Sequence, residues 1–227
     1  MSDPTQQLIA RLTGATSVAR GERFQSVWSG YGELVRYRLV GAEAPSVVVK
    51  HIKPGKGRGR SHDRKLRSYE VEQTWYQQWS SRCTPACRVA RCLHAERGEG
   101  NWIFVFEDLD ASGFGARHDD PSGRRLESCL RWLAAFHALF LGERPRGLWK
   151  IGTYWHLKTR PDEHRSMAHG PLRDAAAAVD ARLNGARFQT LVHGDAKPAN
   201  FCFSPDGASV AAVDFQYVGG GCGMKDV

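Results

Sequence analysis

Short β-branched and aromatic runs dominate the first half of the chain, and longer runs at helical spacing dominate the second. Residues 23–40 (RFQSVWSGYGELVRYRLV) place aromatic and branched residues on either side of Ser29-Gly30-Tyr31-Gly32, which predicts two β segments around a glycine turn. Residues 46–52 (SVVVKHI), 88–94 (RVARCLH) and 102–107 (WIFVFE) predict further strands. Residues 53–60 (KPGKGRGR) have four Gly or Pro in eight positions and cannot hold regular structure. Residues 62–80 then carry apolar or aromatic side chains at 66, 69, 71, 75, 76 and 79, the spacing of a helix face. The first half is therefore β-rich, with one helix inserted after the third strand.

The pattern changes near residues 108–113. Residues 123–141 predict a strongly apolar helix and residues 171–184 a second one, whose four consecutive alanines reflect helix propensity. Short strands at 190–192 and 209–214 bracket a loop at 193–200. There is no internal repeat.

Composition narrows the class. The 227 residues suffice for one large domain or two small lobes around a real core. Hydrophobic residues at 41% and charged residues at 25% describe a globular chain. No apolar run reaches bilayer length, and the N-terminus lacks a charged-then-apolar signal layout. Six cysteines are too few for a disulfide scaffold, so a reduced, cytoplasmic setting is expected. The net charge of +8 is concentrated, because residues 50–67 alone hold eight Lys or Arg against one Asp. A basic binder of nucleic acid would spread that charge over a face.

Candidate chemistry centres on His193-Gly194-Asp195-Ala196-Lys197-Pro198-Ala199-Asn200 and on Val213-Asp214-Phe215-Gln216. An Asp and an Asn five residues apart share a loop, and a second Asp follows at a strand end. Phosphoryl transfer needs such a set: one carboxylate orients the attacking hydroxyl, while an amide and a second carboxylate hold Mg²⁺ on the phosphates. A turn with capping Asp and Asn would read the same way. Lys50, on the third strand, can reach phosphate oxygens. Glu72 on the inserted helix can pair with it; Glu70 is a rival, but residues i and i+2 cannot share one helix face. Gly30 and Gly32 could let a hairpin close over a nucleotide. Glu107 and Leu109, flanking Asp108, could offer backbone groups to an adenine.

Together the segments WSGYGELVRYRL, VVVKHI, SYEVEQTWY, FVFEDLD, LAAFHALF, LVHGDAKPANF and AAVDFQ resemble the protein-kinase-like small-molecule phosphotransferases, the aminoglycoside phosphotransferase and choline/ecdysteroid kinase group. The resemblance runs from about residue 22 to the end. It implies an α+β (α/β) bilobal fold, with a nucleotide-binding lobe at 1–109 and a partial, truncated catalytic lobe at 110–227. It implies ATP and Mg²⁺ as cofactors and an unidentified small hydroxyl acceptor. By resemblance Lys50 binds the α/β-phosphates and Glu72 holds it. Asp195 is the catalytic base, Lys197 faces the γ-phosphate, and Asn200 and Asp214 bind the metal. His193 is a structural loop residue. Asp226 looks like the family's later aspartate, which braces the catalytic loop.

Three departures stand out. Val35 occupies the third glycine position of GxGxxG, and Gln216 replaces the Gly after Phe215. The last residue, Val227, comes 13 positions after Asp214, where the family continues with helices that build much of the acceptor pocket. The expectation is exposed apolar surface on the second lobe that invites a partner or aggregation. Two other readings compete with a kinase: a catalytically inactive nucleotide-binding remnant, and a nucleic-acid binder acting through loop 53–60, which has no interleaved aromatics for base stacking. Cys83, Cys87, Cys92 and His94 fit scattered core positions better than a zinc site. The aromatic segment holding Trp149, Trp155 and His156 fits packing better than a substrate pocket.

Overall fold

The computed structural model describes residues 3–27, 30–55, 57–154, 157–158 and 160–227, with backbone alone at 25–27. Ser29, Trp155 and His156, and Lys56 of the basic segment, lie outside the described residues. Strands β1 (Ser17–Val27), β2 (Gly32–Val40), β3 (Ser46–Ile52), β4 (Cys92–Arg97) and β5 (Trp102–Glu107) form one antiparallel sheet in the order β1-β2-β3-β5-β4. The register aligns Val35, Val49 and Val105 on one face, and Leu34, Lys50 and Phe104 on the other. Residues of successive parity point to opposite faces of a sheet, so one strand serves two environments.

Helix α1 (Pro4–Thr13) contributes Ile9 to the first face, where it packs with Val35, Tyr37, Val47, Val49 and Val105. The hydrophobic pattern did not foresee this helix because Ile9 is its one buried residue. Its ends are nonetheless marked. Asp3 accepts the Thr5 N–H at 3.0 Å, Pro4 opens the first turn, and Gly14 closes it at φ 71°.

Helix α2 (Arg60–Gln78) covers the other face and buries Lys65, Ser68, Tyr69, Val71, Glu72, Trp75 and Tyr76. Helix α3 (Arg124–Leu139) follows, then α4 (Pro161–Ser166) and α5 (Pro171–Asn184). Two ribbons complete the chain: β6 (Thr190–Val192) with β9 (Gly219–Gly221), and β7 (Phe201–Phe203) with β8 (Val210–Ala212). The unforeseen pieces, α4, β7 and β9, are six residues or shorter, too short for a period to register.

The strand expected at residues 88–94 begins only at Cys92. Residues 88–90 run beside β8 instead: Val89 bridges Ala212 in parallel, and the Ala212 N–H donates to the Arg88 carbonyl at 2.9 Å. A β run reveals that it pairs, not with which sheet. Here it ties the two halves together.

Aromatic stacking links α2, α3 and the 193–200 loop. Trp75 stacks on Phe215 at 4.5 Å and meets Phe136 at 5.6 Å; Phe136 stacks on Trp132; His193 lies 4.5 Å from Phe215. Each such pair adds about 0.5–1.5 kcal/mol beyond its buried area. One cluster of buried residues runs from Ile52 to Val218, across both sequence halves. Helix α5 stands apart: it buries none of its residues, and Leu172 and Val179 are exposed, as is Phe188 beyond it.

Candidate active site

The inner stripe of α2 includes polar residues because it carries an ion pair into the core. Lys50 Nζ contacts both oxygens of Glu72 at 2.7 and 2.8 Å, and Asp214 Oδ1 at 3.2 Å. Both members of the pair are almost fully buried. Burial works against the Lys50 ammonium, but Glu72 and Asp214 outweigh it and raise its pKa. Burial pushes the Glu72 carboxyl up, to about 7, while Lys50 pulls it back. The two-oxygen contact supports the ion pair as the neutral-pH state. The rival Glu70 pairs with Arg97 at 2.7 Å and Arg67 at 3.3 Å, away from Lys50.

Asp214 is the one described non-glycine residue at positive φ, 66°. Aspartate tolerates this left-handed region better than most residues, and such a conformation is held by its surroundings. Burial would raise its pKa, but the Lys50 ammonium in contact with it, with Lys197 further off, holds it below the ordinary carboxylate value.

The 193–200 loop is pinned from three sides. Asp226 Oδ2 accepts the His193 N–H at 2.7 Å, and its Oδ1 accepts the Gly194 N–H at 2.8 Å. The His137 ring, from α3, adds a contact to Oδ2 at 2.9 Å. Asp226 thus holds the loop through its backbone, as expected; His137 was not foreseen, since a histidine within an apolar helix has no distinguishing spacing. The Asp195 N–H donates to His193 Nδ1 at 3.3 Å, so the ring is the Nε2–H tautomer and donates to the Val213 carbonyl at 3.0 Å. His193 thereby links the Asp195 loop to the segment bearing Asp214. Gly194 (φ 82°) is required, because a Cβ there would lie 2.2 Å from the Tyr217 carbonyl oxygen.

Asn200 Nδ2 donates to the Asp195 carbonyl at 2.7 Å and to Asp195 Oδ2 at 3.1 Å, which turns its amide oxygen the other way. Lys197 Nζ also contacts Asp195 Oδ2, at 3.0 Å. Lys50, Glu72 and Asp214 thus form one polar group and Asp195, Lys197 and Asn200 a second, held side by side where the Val213 N–H donates to the Asn200 carbonyl at 3.0 Å. No group of three or more His, Cys, Asp or Glu suited to a metal exists among the described residues. The Asn200 amide oxygen and the Asp214 carboxylate are hard oxygen donors, which fits a magnesium ion that takes few protein ligands and keeps water and phosphate for the rest.

The remaining predicted residues sit elsewhere. Gly30 is exposed, and Gly32 faces β3 so closely that a Cβ would lie 1.9 Å from the His51 carbonyl oxygen. Both line a cavity of about 450 Å³ with Arg20, Glu33, Tyr37 and His51, on the Val35–Val49 face of the sheet and opposite Lys50. Glu107 directs its carboxylate to Arg88 and to the Arg91 N–H. The Leu109 carbonyl is already engaged by the Phe114 N–H at 2.8 Å. Between them, Asp108 is buried against Arg36 (2.6 Å) and Ser46 (2.7 Å), and those contacts overcome burial to lower its pKa. Trp149 packs: its indole N–H donates to the Gln216 carbonyl and its ring stacks on Tyr217.

Two buried basic groups were not foreseen. Lys65, two turns before Glu72 on the same stripe, is nearly buried, and burial lowers its pKa to about 8. Ser68, between them, contacts Gln216 Oε1 at 3.2 Å. Arg160 is buried too. A stripe with polar members breaks the hydrophobic pattern rather than extending it.

No helix among the described residues is long and apolar enough to cross a membrane. A search of curated proteins finds no match. Among solved structures, the chain is similar to a thermostable mutant of the aminoglycoside phosphotransferase APH(4)-Ia in ternary complex with ADP and hygromycin B. That match has 11% identity and a TM-score of 0.57, covering 99% of this chain and 75% of the other. A putative fructosamine-3-kinase from Haemophilus somnus 129PT matches at 13% identity and a TM-score of 0.49, covering 98% and 74%. The first of these likenesses shows the kinase-like α+β fold. A family profile described as "APH: Phosphotransferase enzyme family" matches residues 23–223, and the chain belongs to that phosphotransferase family.

Proposed function

We propose that this chain transfers the γ-phosphoryl group of ATP to a hydroxyl of a small organic acceptor. One observation carries the reading: Lys50 is held by Glu72 at 2.7 Å and by Asp214 at 3.2 Å, beside an Asp195–Asn200 pair at 3.1 Å. Lys50 supplies a fixed cation for phosphate oxygens, and Glu72 keeps it aimed. Asp195 orients the acceptor hydroxyl and takes its proton as the bond forms. Lys197, in contact with Asp195, would offset charge on the transferred group. Asn200 and Asp214 would hold Mg²⁺, which when bound supplies charge neutralisation on the phosphates. Positioning and charge stabilisation then do most of the work. The APH(4)-Ia complex with ADP and hygromycin B supports a nucleotide and a small molecule as the two ligands. Residues 1–109 would form the nucleotide lobe and residues 110–227 part of the catalytic lobe. Six free cysteines suit a reducing cytoplasm.

A thermal melt with and without Mg-ATP tests the reading. Mg-ATP should raise the melting temperature, and Asp214→Ala should lose that rise. Stabilisation with no transfer to any acceptor would mark a nucleotide-binding remnant; no stabilisation would sink the proposal.

A further inference from the structure

Arg160, just before α4, is a buried cation with an unmet bond. Its side chain lies 4.2 Å over the Tyr154 ring, and its Nη1 donates to Glu163 at 2.7 Å. The residue is 8% exposed, yet its Nε–H has no hydrogen-bond partner among the described residues. Buried donors are nearly always paired, and a charged one left unpaired is costly. The Nε edge of a guanidinium is half of the fork that takes a carboxylate or phosphate through two parallel bonds.

The placement relates this edge to the phosphotransfer cluster. The Tyr154 N–H donates to the Gly194 carbonyl at 2.5 Å, one residue before Asp195. The Tyr154 ring meets Tyr217 edge-on at 4.9 Å, and the Tyr217 carbonyl packs against Gly194. Arg60, one turn before Arg64 on α2, lies 3.9 Å from Asp162 of α4, which brings the start of α2 beside the Arg160 segment. Arg160 therefore stacks on the residue whose backbone holds the loop of the proposed base, with Arg64 and Lys65 on the neighbouring start of α2. Glu163, 41% exposed, takes Nη1 at 2.7 Å and not the Nε edge.

We infer that Arg160, supported by Arg64 and Lys65, forms an anion subsite for the acceptor, so the acceptor is a small hydroxylated compound bearing a carboxylate or phosphate. The inference rests on the phosphotransferase reading and names its substrate class. A polycationic acceptor would meet repulsion at this wall.

The experiment titrates glucose, gluconate, glucose 6-phosphate and the polycation kanamycin into the full chain, with and without saturating Mg-ADP. Gluconate, glucose 6-phosphate or both should bind about tenfold more tightly than glucose, as expected for a charge-assisted pair. Arg160→Gln should reduce the anions to the level of glucose and leave Mg-ADP affinity unchanged. Glu163→Gln, at an exposed position, should tighten anion binding by releasing the guanidinium. Binding of one anion alone supports the proposal and decides between carboxylate and phosphate. No binding of either anion at millimolar concentration overturns it, as does an equal preference for glucose or kanamycin. Equal loss of Mg-ADP in Arg160→Gln would assign the cluster to the nucleotide and overturn it. If that variant does not fold, Glu163→Gln decides, and unchanged anion affinity overturns the proposal. Failure of Mg-ADP to bind while Arg160-dependent anion binding persists would sink the phosphotransferase reading alone.

Discussion

The two faces of the five-stranded sheet are built from the same strands and serve opposite ends. On one face Val35, Val49 and Val105 lie in register and close with α1 into an apolar cluster. On the other, one residue along, Leu34, Lys50 and Phe104 lie in register, and Lys50 reaches Glu72 and Asp214. The first face contributes area removed from water, about 25 cal/mol per Å². The second contributes a buried ion pair whose Coulombic gain is largely cancelled by desolvation. On that second face the stability comes from the aromatic packing of Phe104, Tyr76 and Trp75 around the pair rather than from the pair itself.

The largest effect expected from breaking this contrast is catalytic. Asp195→Asn should lower phosphoryl transfer about a thousandfold, the range of a lost general base, with little change in unfolding free energy. Steady-state kinetics beside a urea melt checks both halves; an equal loss from an outer-face change would erase the distinction. Next is Lys50→Ala, which leaves Glu72 buried without its partner and should cost about 3–5 kcal/mol. The double change Lys50→Met with Glu72→Leu should recover most of that stability and none of the activity. Val49→Ala, on the apolar face, should cost about 2 kcal/mol through lost methyl burial and a residual cavity. Its turnover per folded molecule should stay at the wild-type value.

The smallest effect concerns Lys65. Burial lowers its pKa from 10.5 to about 8, so between those values the unfolded chain binds the extra proton and the folded chain does not. The stability of the wild type relative to Lys65→Met should therefore rise as pH climbs from about 8 to about 10.5, and stay flat below about 8. Urea melts at both ends of that window read the difference; a constant gap would show that the lysine is not desolvated.

The strands were legible as runs of branched and aromatic residues, but not which face each side chain joins, since β3 and β5 are largely buried on both sides. The residues now clustered around Asp195 and Asp214 were legible too, and their types and order fit phosphoryl transfer or a capped turn alike until the resemblance of the ordered segments favours the first. The α2 stripe was read only through its apolar members; Lys65 and Ser68 face the same way but interrupt the pattern. Arg36 and Asp108, 72 residues apart, left no local signal, and neither did the His137–Asp226 contact, 89 residues apart. Gly30 and Gly32 fit a hairpin over a nucleotide or a simple turn alike, and crowding against the His51 carbonyl is a separate reason for glycine at 32. Composition marks where glycine is needed, and only the paired strand says why.

Calorimetric titration of Mg-ATP into the wild type, Asp195→Ala and Asp214→Ala tests the central assignment most directly. Asp214 is assigned to the metal and Asp195 to the acceptor hydroxyl. Asp195→Ala should therefore bind with nearly wild-type affinity, and Asp214→Ala at least about tenfold more weakly, as expected for a lost metal ligand. Equal affinities for the two variants would contradict the account.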